Sequence, residues 1–296
     1  MSRARAWMLA IRPRTLPAAA SPVLVGSALA VQAGGFAPGP AVAALGGALA
    51  LQVGSNLAND VYDFEQGVDL ATRLGPIRVT QAGMLSGADV KRGMWAAFGF
   101  ATLIGVYLTV VAGWPVVAIG LTSIAAAIAY TGGPFPLGYH GLGDLFVMVF
   151  FGFVAVCGTV FVQVGAVPAA AWPAGLMVGC LTSAILVVNN VRDHETDRIA
   201  GKRTLAVILG RDFGVIEFGA LLTVAYLTAY ALVWFQHVSA WALLSFLTMP
   251  AAVTLFVHVR KYRGPLLNTT LAHTAQLLFL FSTLFSAGVV VGVLLR

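Results

Sequence analysis

The stretch N-L-A-N-D-V-Y-D-F-E-Q-G-V-D, from Asn56 to Asp69, follows directly on an apolar segment that is long enough to cross a bilayer. It contains Asp60, Asp63, Glu65 and Asp69, four of the 11 acidic residues in the chain. A second acidic stretch, N-N-V-R-D-H-E-T-D from Asn189 to Asp197, also ends a long apolar segment. This doubling predicts that two membrane helices carry one functional site between them.

Helix geometry supports such a site. A helix turns by about 100° per residue, so four oxygen-bearing side chains of each stretch fall within an arc of roughly 100°. These side chains are Asn56, Asn59, Asp60 and Asp63 in the first stretch, and Asn189, Asn190, Asp193 and Asp197 in the second. Carboxylate and amide oxygens suit Mg²⁺, which is usually held by a few carboxylates plus substrate phosphates. The alternative is a pair of solvated, capped helix ends, but two such stretches beside basic loops favour the site.

The composition is that of a polytopic membrane protein. Of the 296 residues, 59% are hydrophobic and 9% are charged, and the mean hydropathy is +0.90, whereas soluble domains carry about 25% charged residues. Lipid offers backbone groups no partners, so most of the chain must be helical. We predict an all-α fold and expect one domain over residues 1–296. No cleavable signal peptide is expected, because the N-terminus is too basic. Cys157 and Cys180 are expected in the core and not in a disulfide or metal site.

The hydropathy pattern predicts about nine transmembrane helices in two similar halves around a cytoplasm-facing cavity, preceded by an interfacial segment over residues 1–14 with Trp7 as its anchor. The spans are predicted at roughly 15–33, 41–60, 94–112, 115–131, 144–164, 172–190, 214–235, 240–258 and 273–295. With the N-terminus inside, all of the 17 basic residues except Arg296 fall on the cytoplasmic side of the cell membrane. Both acidic stretches then face the cytoplasm. The net charge of +6 therefore reflects topology, and no nucleic acid partner is expected.

The loops supply candidate phosphate ligands. Arg73 and Arg78 lie in the long loop after the first acidic stretch, and Lys202 and Arg203 follow the second. Arginine and lysine bind phosphate well, although these residues also serve the positive-inside rule. Asp144 stands at the start of the fifth span, where its carboxylate is as consistent with a helix N-cap as with a site residue.

The paired motifs resemble the UbiA superfamily of intramembrane prenyltransferases. The first stands as Asn59-Asp60-Val61-Tyr62-Asp63, and the second as Asp193-x-x-x-Asp197 followed by G-K-R-T-L. The resemblance implies nine helices and two Asp-rich motifs that bind Mg²⁺ and the diphosphate of a polyprenyl donor. It implies that Mg²⁺ is held by Asp60, Asp63, Asp193 and Asp197. The substrate-binding residues it implies are Asn56, Asn59, Asp69, Arg73, Arg78, Asn189, Asn190, Lys202 and Arg203, with Tyr62, Gln81 and Tyr139 as guesses for orienting the acceptor.

The spacing of the last Asp indicates a branch of this superfamily. The common pattern has it four residues after Asp63, where this chain has Gly67, whereas Asp69 is six residues on. The longer spacing resembles the branch that prenylates 1,4-dihydroxy-2-naphthoate in menaquinone synthesis. The stretches R-P-R-T-L-P from Arg12, R-L-G-P-I-R-V-T-Q-A-G from Arg73 and G-L-G-D from Gly141 also resemble that branch.

The implied reaction joins a polyprenyl group to the naphthoate with loss of CO₂, giving demethylmenaquinol. The rival acceptors within the superfamily are 4-hydroxybenzoate, homogentisate, haem and a glycerol phosphate. The rival from another class is a transporter, but that class places charges near the bilayer midplane on broken helices. Here the acids lie at helix ends beside basic loops.

Overall fold

The computed structural model describes residues 2–68 and 74–296, and it contains helices and no strand within them. The predicted site residues Asp69 and Arg73 lie outside the described residues. The helices are α1 Arg3–Ile11, α2 Leu16–Gln32, α3 Pro38–Glu65, α4 Gly87–Ala112, α5 Pro115–Ala129, α6 Gly143–Val164, α7 Ala171–Ile199, α8 Arg211–Trp234, α9 Ala240–Lys261 and α10 Leu267–Leu294. Within them, α6 contains a π-helical segment at Met148–Val154, and α9 begins with a 3₁₀ segment at Ala240–Thr248.

The predicted multi-pass all-α fold is confirmed. Eight helical segments of the described chain are long and apolar enough to cross a membrane, with α1 and α2 counted as one segment. The ninth predicted span is α5, which is apolar but has only 15 residues. It rises about 22 Å, less than the roughly 30 Å of a bilayer core.

The acidic stretches form the last turns of α3 and α7, whereas the sequence placed the ends of these spans near residues 60 and 190. Polar side chains extend both helices beyond their apolar parts until a glycine ends them. Gly67 and Gly201 have φ values of 68° and 77°, a left-handed conformation that glycine adopts at no steric cost. The NH of Val68 then bonds to the carbonyl of Asp63, and the NH of Lys202 bonds to that of Asp197. Asp63 and Asp197 therefore occupy the same position in two identical helix caps.

Two large apolar cores and one small cluster of Leu108, Val116 and Val162 hold the described part of the bundle together. The first joins α1, α3, α4 and the turn at Val79–Leu85 around Leu57, Met94 and Phe98. The second joins α2 and α6–α10, with Leu181 of α7 and Phe281 of α10 fully buried. The first core contains α3 and the second contains α7, so the two acidic stretches meet where the cores face each other. Trp7, predicted as an interfacial anchor, packs against Gly93 of α4.

Candidate functional site

A cavity of about 470 Å³ lies among α2–α7, with Leu271 of α10 also in its wall. Its polar end is formed by the ends of α3 and α7 and by the loops that follow them, and most of the remaining wall is apolar. The polar residues include Asn56, Asn59, Asp63, Arg78, Tyr139, Asn189, Asn190, Asp193, Asp197 and Lys202. The apolar wall includes Val23, Leu51, Ile104, Leu108, Phe146 and Phe150. The structure thus brings most of the predicted site residues into one space.

Asp63 contacts three side chains at this polar end. Its Oδ2 accepts from Nη2 of Arg78 at 2.7 Å, and its Oδ1 lies 3.4 Å from Nζ of Lys202. The hydroxyl of Tyr139 also donates to Oδ1, and the Lys202 ammonium lies 4.6 Å from the centre of the Tyr139 ring. Asp63 is 1% exposed. Two cations predicted to bind phosphate therefore meet on one buried carboxylate.

Asp60 does not line the cavity but binds the loop that carries Arg78. Its Oδ1 accepts from the backbone NH of Thr80 at 3.0 Å, and its Oδ2 accepts from that of Val79 at 3.1 Å. Arg12 approaches Oδ2 at 3.9 Å. Among the described residues that line the cavity, Asp60 is not included. One helical residue beyond Asn59 turns the side chain by about 100°, so Asp60 holds the loop that carries Arg78. This placement differs from the predicted role as a metal ligand.

The second acidic stretch contains a buried arginine that the sequence did not single out as a site residue. The guanidinium of Arg192 donates to both oxygens of Asp193, through Nε at 2.7 Å and Nη2 at 2.5 Å. Nη2 also donates to Oδ1 of Asn189 at 2.6 Å. The Arg192 side chain is fully buried. The carboxylate plane of Asp193 is consequently fixed by its neighbour in the sequence.

The asparagines of the first stretch are also held in place. The amide of Asn56 donates to the carbonyl of Ile11 and to Oγ1 of Thr15, both at 2.9 Å. The hydroxyl of Thr131 donates to Oδ1 of Asn59 at 3.0 Å. The partners of Asn56 belong to the segment around R-P-R-T-L-P, so this segment holds the Asn56 side chain in place.

Besides Asp60, three predicted residues lie away from the lining of the cavity in the described structure. The ring of Tyr62 lies 5.6 Å from the ammonium of Lys91. Gln81 lies in the turn after Thr80, and the Arg203 side chain is exposed while its backbone NH bonds to the carbonyl of Tyr139. Tyr130 and Thr131 do line the cavity, although the sequence analysis did not select them. Their only sequence signal was their place at the start of the Gly- and Pro-rich loop.

The donor set at the polar end fits a hard divalent cation. Asn59, Asp63, Asn189 and Asp197 offer amide and carboxylate oxygens, the ligands preferred by Mg²⁺. In the described part of the chain, three or more His, Cys, Asp or Glu side chains do not come together in a preformed metal site.

Comparison with known proteins agrees with this geometry. A model of the UbiA prenyltransferase family matches residues 19–281. The chain is 37% identical to the 1,4-dihydroxy-2-naphthoate octaprenyltransferase of Escherichia coli K12, and the match covers 98% of this chain and 96% of that protein.

Solved structures share the fold. The apo structure of a UbiA homolog from Aeropyrum pernix K1 matches with a TM-score of 0.72 at 17% identity, over 93% of this chain and 97% of that one. A UbiA homolog from Archaeoglobus fulgidus bound to GPP and Mg²⁺ matches with a TM-score of 0.67 at 15% identity, over 95% and 99% of the two chains.

Proposed function

Because this chain belongs to the UbiA prenyltransferase family, we propose that it transfers a polyprenyl group from a polyprenyl diphosphate to 1,4-dihydroxy-2-naphthoate. The attacked carbon loses CO₂, and the product is demethylmenaquinol, a precursor of menaquinone. One observation carries this proposal: the cavity joins an oxygen-rich, cationic end to an apolar groove. A diphosphate fits the first part and an isoprenoid tail fits the second. The acceptor follows from the near full-length similarity to the Escherichia coli naphthoate octaprenyltransferase.

The cations at the polar end bind the diphosphate. Arg78 and Lys202 both contact Asp63, and both line the cavity. A bound diphosphate attracts them more strongly than one carboxylate does, because it carries more charge and more acceptor oxygens. As they turn to the phosphates, the oxygens of Asp63 become available to a metal ion. Binding of the diphosphate and the release of Asp63 to the metal ion therefore occur together.

We assign Mg²⁺ as the divalent metal, bound by Asp63 and Asp197 from equivalent positions of α3 and α7, with Asp193 and the asparagines Asn59 and Asn189 completing or orienting the set. When bound, the metal stabilises negative charge on the departing diphosphate. The homolog from Archaeoglobus fulgidus, which binds GPP and Mg²⁺, supports this choice. Asp60 is assigned to the loop and not to the metal.

The apolar part of the cavity protects the reaction. As the bond to the diphosphate breaks, an allylic cation develops, and water in the groove would consume it. Side chains such as Phe146, Phe150 and Leu51 line the wall beyond the polar end and exclude water from the reacting carbon. The electron-rich ring of the naphthoate is then the available nucleophile.

The protein is a multi-pass membrane protein, and we place it in the cytoplasmic membrane with its N-terminus and site loops in the cytoplasm. The positive-inside pattern supports that orientation, because all but one of the 17 basic residues then lie inside. The soluble naphthoate enters from the cytoplasm, and the donor enters from the lipid.

The test is a membrane assay with farnesyl or longer prenyl diphosphate, offering 1,4-dihydroxy-2-naphthoate and 4-hydroxybenzoate in parallel, with and without Mg²⁺. We expect a Mg²⁺-dependent prenylated product from the naphthoate, with one CO₂ released per product. A product from the benzoate alone would overturn the acceptor and keep the reaction class. Absence of product from both acceptors, in protein shown to be folded, would overturn the proposal.

A further inference from the structure

The strongest unassigned feature is a hydrogen-bonded chain that connects the second acidic stretch to the loop of the first. It begins at Asp193, whose carboxylate accepts hydrogen bonds from two nitrogens of Arg192. Nη1 of Arg192 donates to Oδ1 of Asn268 at 2.8 Å. Nδ2 of Asn268 donates to the backbone carbonyl of Leu74 at 2.9 Å. Four residues from three separate parts of the chain thus form one line.

The two links made by Asn268 join parts of the site that the sequence keeps far apart. Leu74 opens the described part of the loop that carries Arg78, and Asn268 lies in the first turn of α10. The same loop is held from its other side by Asp60, through the NH groups of Val79 and Thr80. The phosphate-binding loop is therefore fastened to both acidic stretches, directly at one end and through α10 at the other.

Because Arg192 is buried, its guanidinium depends on its hydrogen-bond acceptors. The guanidinium is fully buried, and a buried charge without partners costs several kcal/mol, so Arg192 is stable only while its acceptors keep their positions. Two of these acceptors, Asp193 and Asn189, line the cavity, whereas Arg192 and Asn268 are not among its described lining residues. Their effect on the reaction must pass through the residues they hold.

We propose that Arg192 and Asn268 are positioning residues that couple the second acidic stretch to the loop around Arg78, so that the metal-binding and phosphate-binding parts of the site adopt their binding geometry together. Arg192 fixes the orientation of Asp193. Asn268 transmits that orientation to the loop, because its one amide group accepts from Arg192 and donates to Leu74. The role of the metal in this proposal rests on the proposed function, whereas the link to the loop does not.

Asn268 allows the two halves of the link to be separated. The variant Asn268→Asp keeps an oxygen for Arg192 and removes the NH₂ group that bonds to Leu74. The variant Asn268→Ala removes both interactions. Gln32→Ala is the matched control, because the Gln32 amide also donates to a backbone carbonyl across segments, that of His237, away from the acidic stretches.

Two measurements on the full-length protein in lipid nanodiscs test the proposal. The first is backbone hydrogen exchange of residues 74–85 without substrate or metal. We expect faster exchange there in both Asn268 variants, by up to about tenfold for the loss of one hydrogen bond, and no change in Gln32→Ala. The second is the Mg²⁺ concentration that gives half-maximal prenyl transfer. It should rise about 10- to 100-fold in Asn268→Ala and stay within about threefold in Asn268→Asp, whose contact with Arg192 remains.

The outcomes separate this proposal from the proposed function. Unchanged exchange of residues 74–85 in both variants would overturn the coupling, whatever the activity. An equal rise in the Mg²⁺ requirement of Asn268→Ala and Gln32→Ala would show a general loss of stability and would also overturn it. If the wild-type protein lacks prenyl transfer, the proposed function fails, and the exchange measurement still decides whether Asn268 holds the loop.

Discussion

Replacing Asp60 with alanine tests whether this residue anchors the loop or binds the metal. The structure shows both carboxylate oxygens accepting backbone NH groups, from Val79 at 3.1 Å and Thr80 at 3.0 Å. Asp60 is 1% exposed, so water cannot replace it without opening the loop. Arg78 directly precedes these two NH groups, and its contact with Asp63 depends on the same loop conformation.

The size of the effect follows from the two lost bonds. A hydrogen bond to a charged group contributes about 1.5–3 kcal/mol, so Asp60→Ala weakens the attachment of the loop by roughly 3–6 kcal/mol. Each 1.4 kcal/mol is a factor of ten, so the equilibrium between attached and released loop shifts by about two to four orders of magnitude. The KM for the prenyl diphosphate should rise steeply, because Arg78 leaves the cavity with the loop.

The assay is hydrogen exchange of residues 74–85 combined with kinetics at saturating Mg²⁺. Asp89→Asn is the control, because Asp89 is also an ion-paired acid, bonded to Arg3 and Arg92, but it does not hold this loop. We expect fast loop exchange in Asp60→Ala and wild-type exchange in Asp89→Asn. Wild-type loop exchange in Asp60→Ala, together with a requirement for more Mg²⁺, would refute the anchoring role and restore Asp60 as a metal ligand.

Three further predictions concern the cavity wall. Asp197→Asn should lower turnover at least about 100-fold, because it removes the charge of a metal ligand. The Tm should stay unchanged, because the Asp197 side chain is only half-buried. A large fall in Tm would contradict this prediction. Tyr139→Phe removes the hydroxyl that donates to Asp63 and keeps the ring, so kcat/KM should fall by about 10- to 150-fold, the loss of one hydrogen bond to a charged group. Complete inactivity would instead make the hydroxyl essential. Gly158→Leu should narrow the apolar groove that Gly158 lines, raising the KM for long prenyl diphosphates more than for dimethylallyl diphosphate; equal effects on both donors would place the tail elsewhere.

The sequence was sufficient for the fold and for the pairing of the acidic stretches. Nearly uninterrupted apolar segments with basic loops leave few alternatives for a chain in lipid, so the multi-pass helical fold could be predicted. The equivalence of Asp63 and Asp197 was also visible in the pattern, since each is followed four residues later by a glycine. That glycine ends the helix in the same way in both halves, whereas the pattern alone predicts only a general similarity of the halves.

Other features depended on contacts between distant residues. Helical periodicity placed Asp60 on the same arc as Asn59 and Asp63, but only the fold shows that a loop 19 and 20 residues further on takes its oxygens. The bond between Arg192 and Asn268 spans 76 residues, and the sequence shows nothing unusual at Asn268. Periodicity gives the direction of a side chain, but its partner is decided by tertiary packing.

The short helix α5 matters for the lipid that surrounds the protein. Its 15 residues leave a hydrophobic mismatch of about 8 Å with a typical bilayer core, and thinning the bilayer costs a fraction of a kcal/mol for each ångström. Val116, Ile119 and Ala126 of this helix line the cavity, so we expect the surrounding membrane to be thinnest beside the cavity. We expect an isoprenoid that is longer than the cavity to extend into the lipid there. Prenyl transfer should therefore depend on the acyl chain length of the host lipid and fall as thicker bilayers are used.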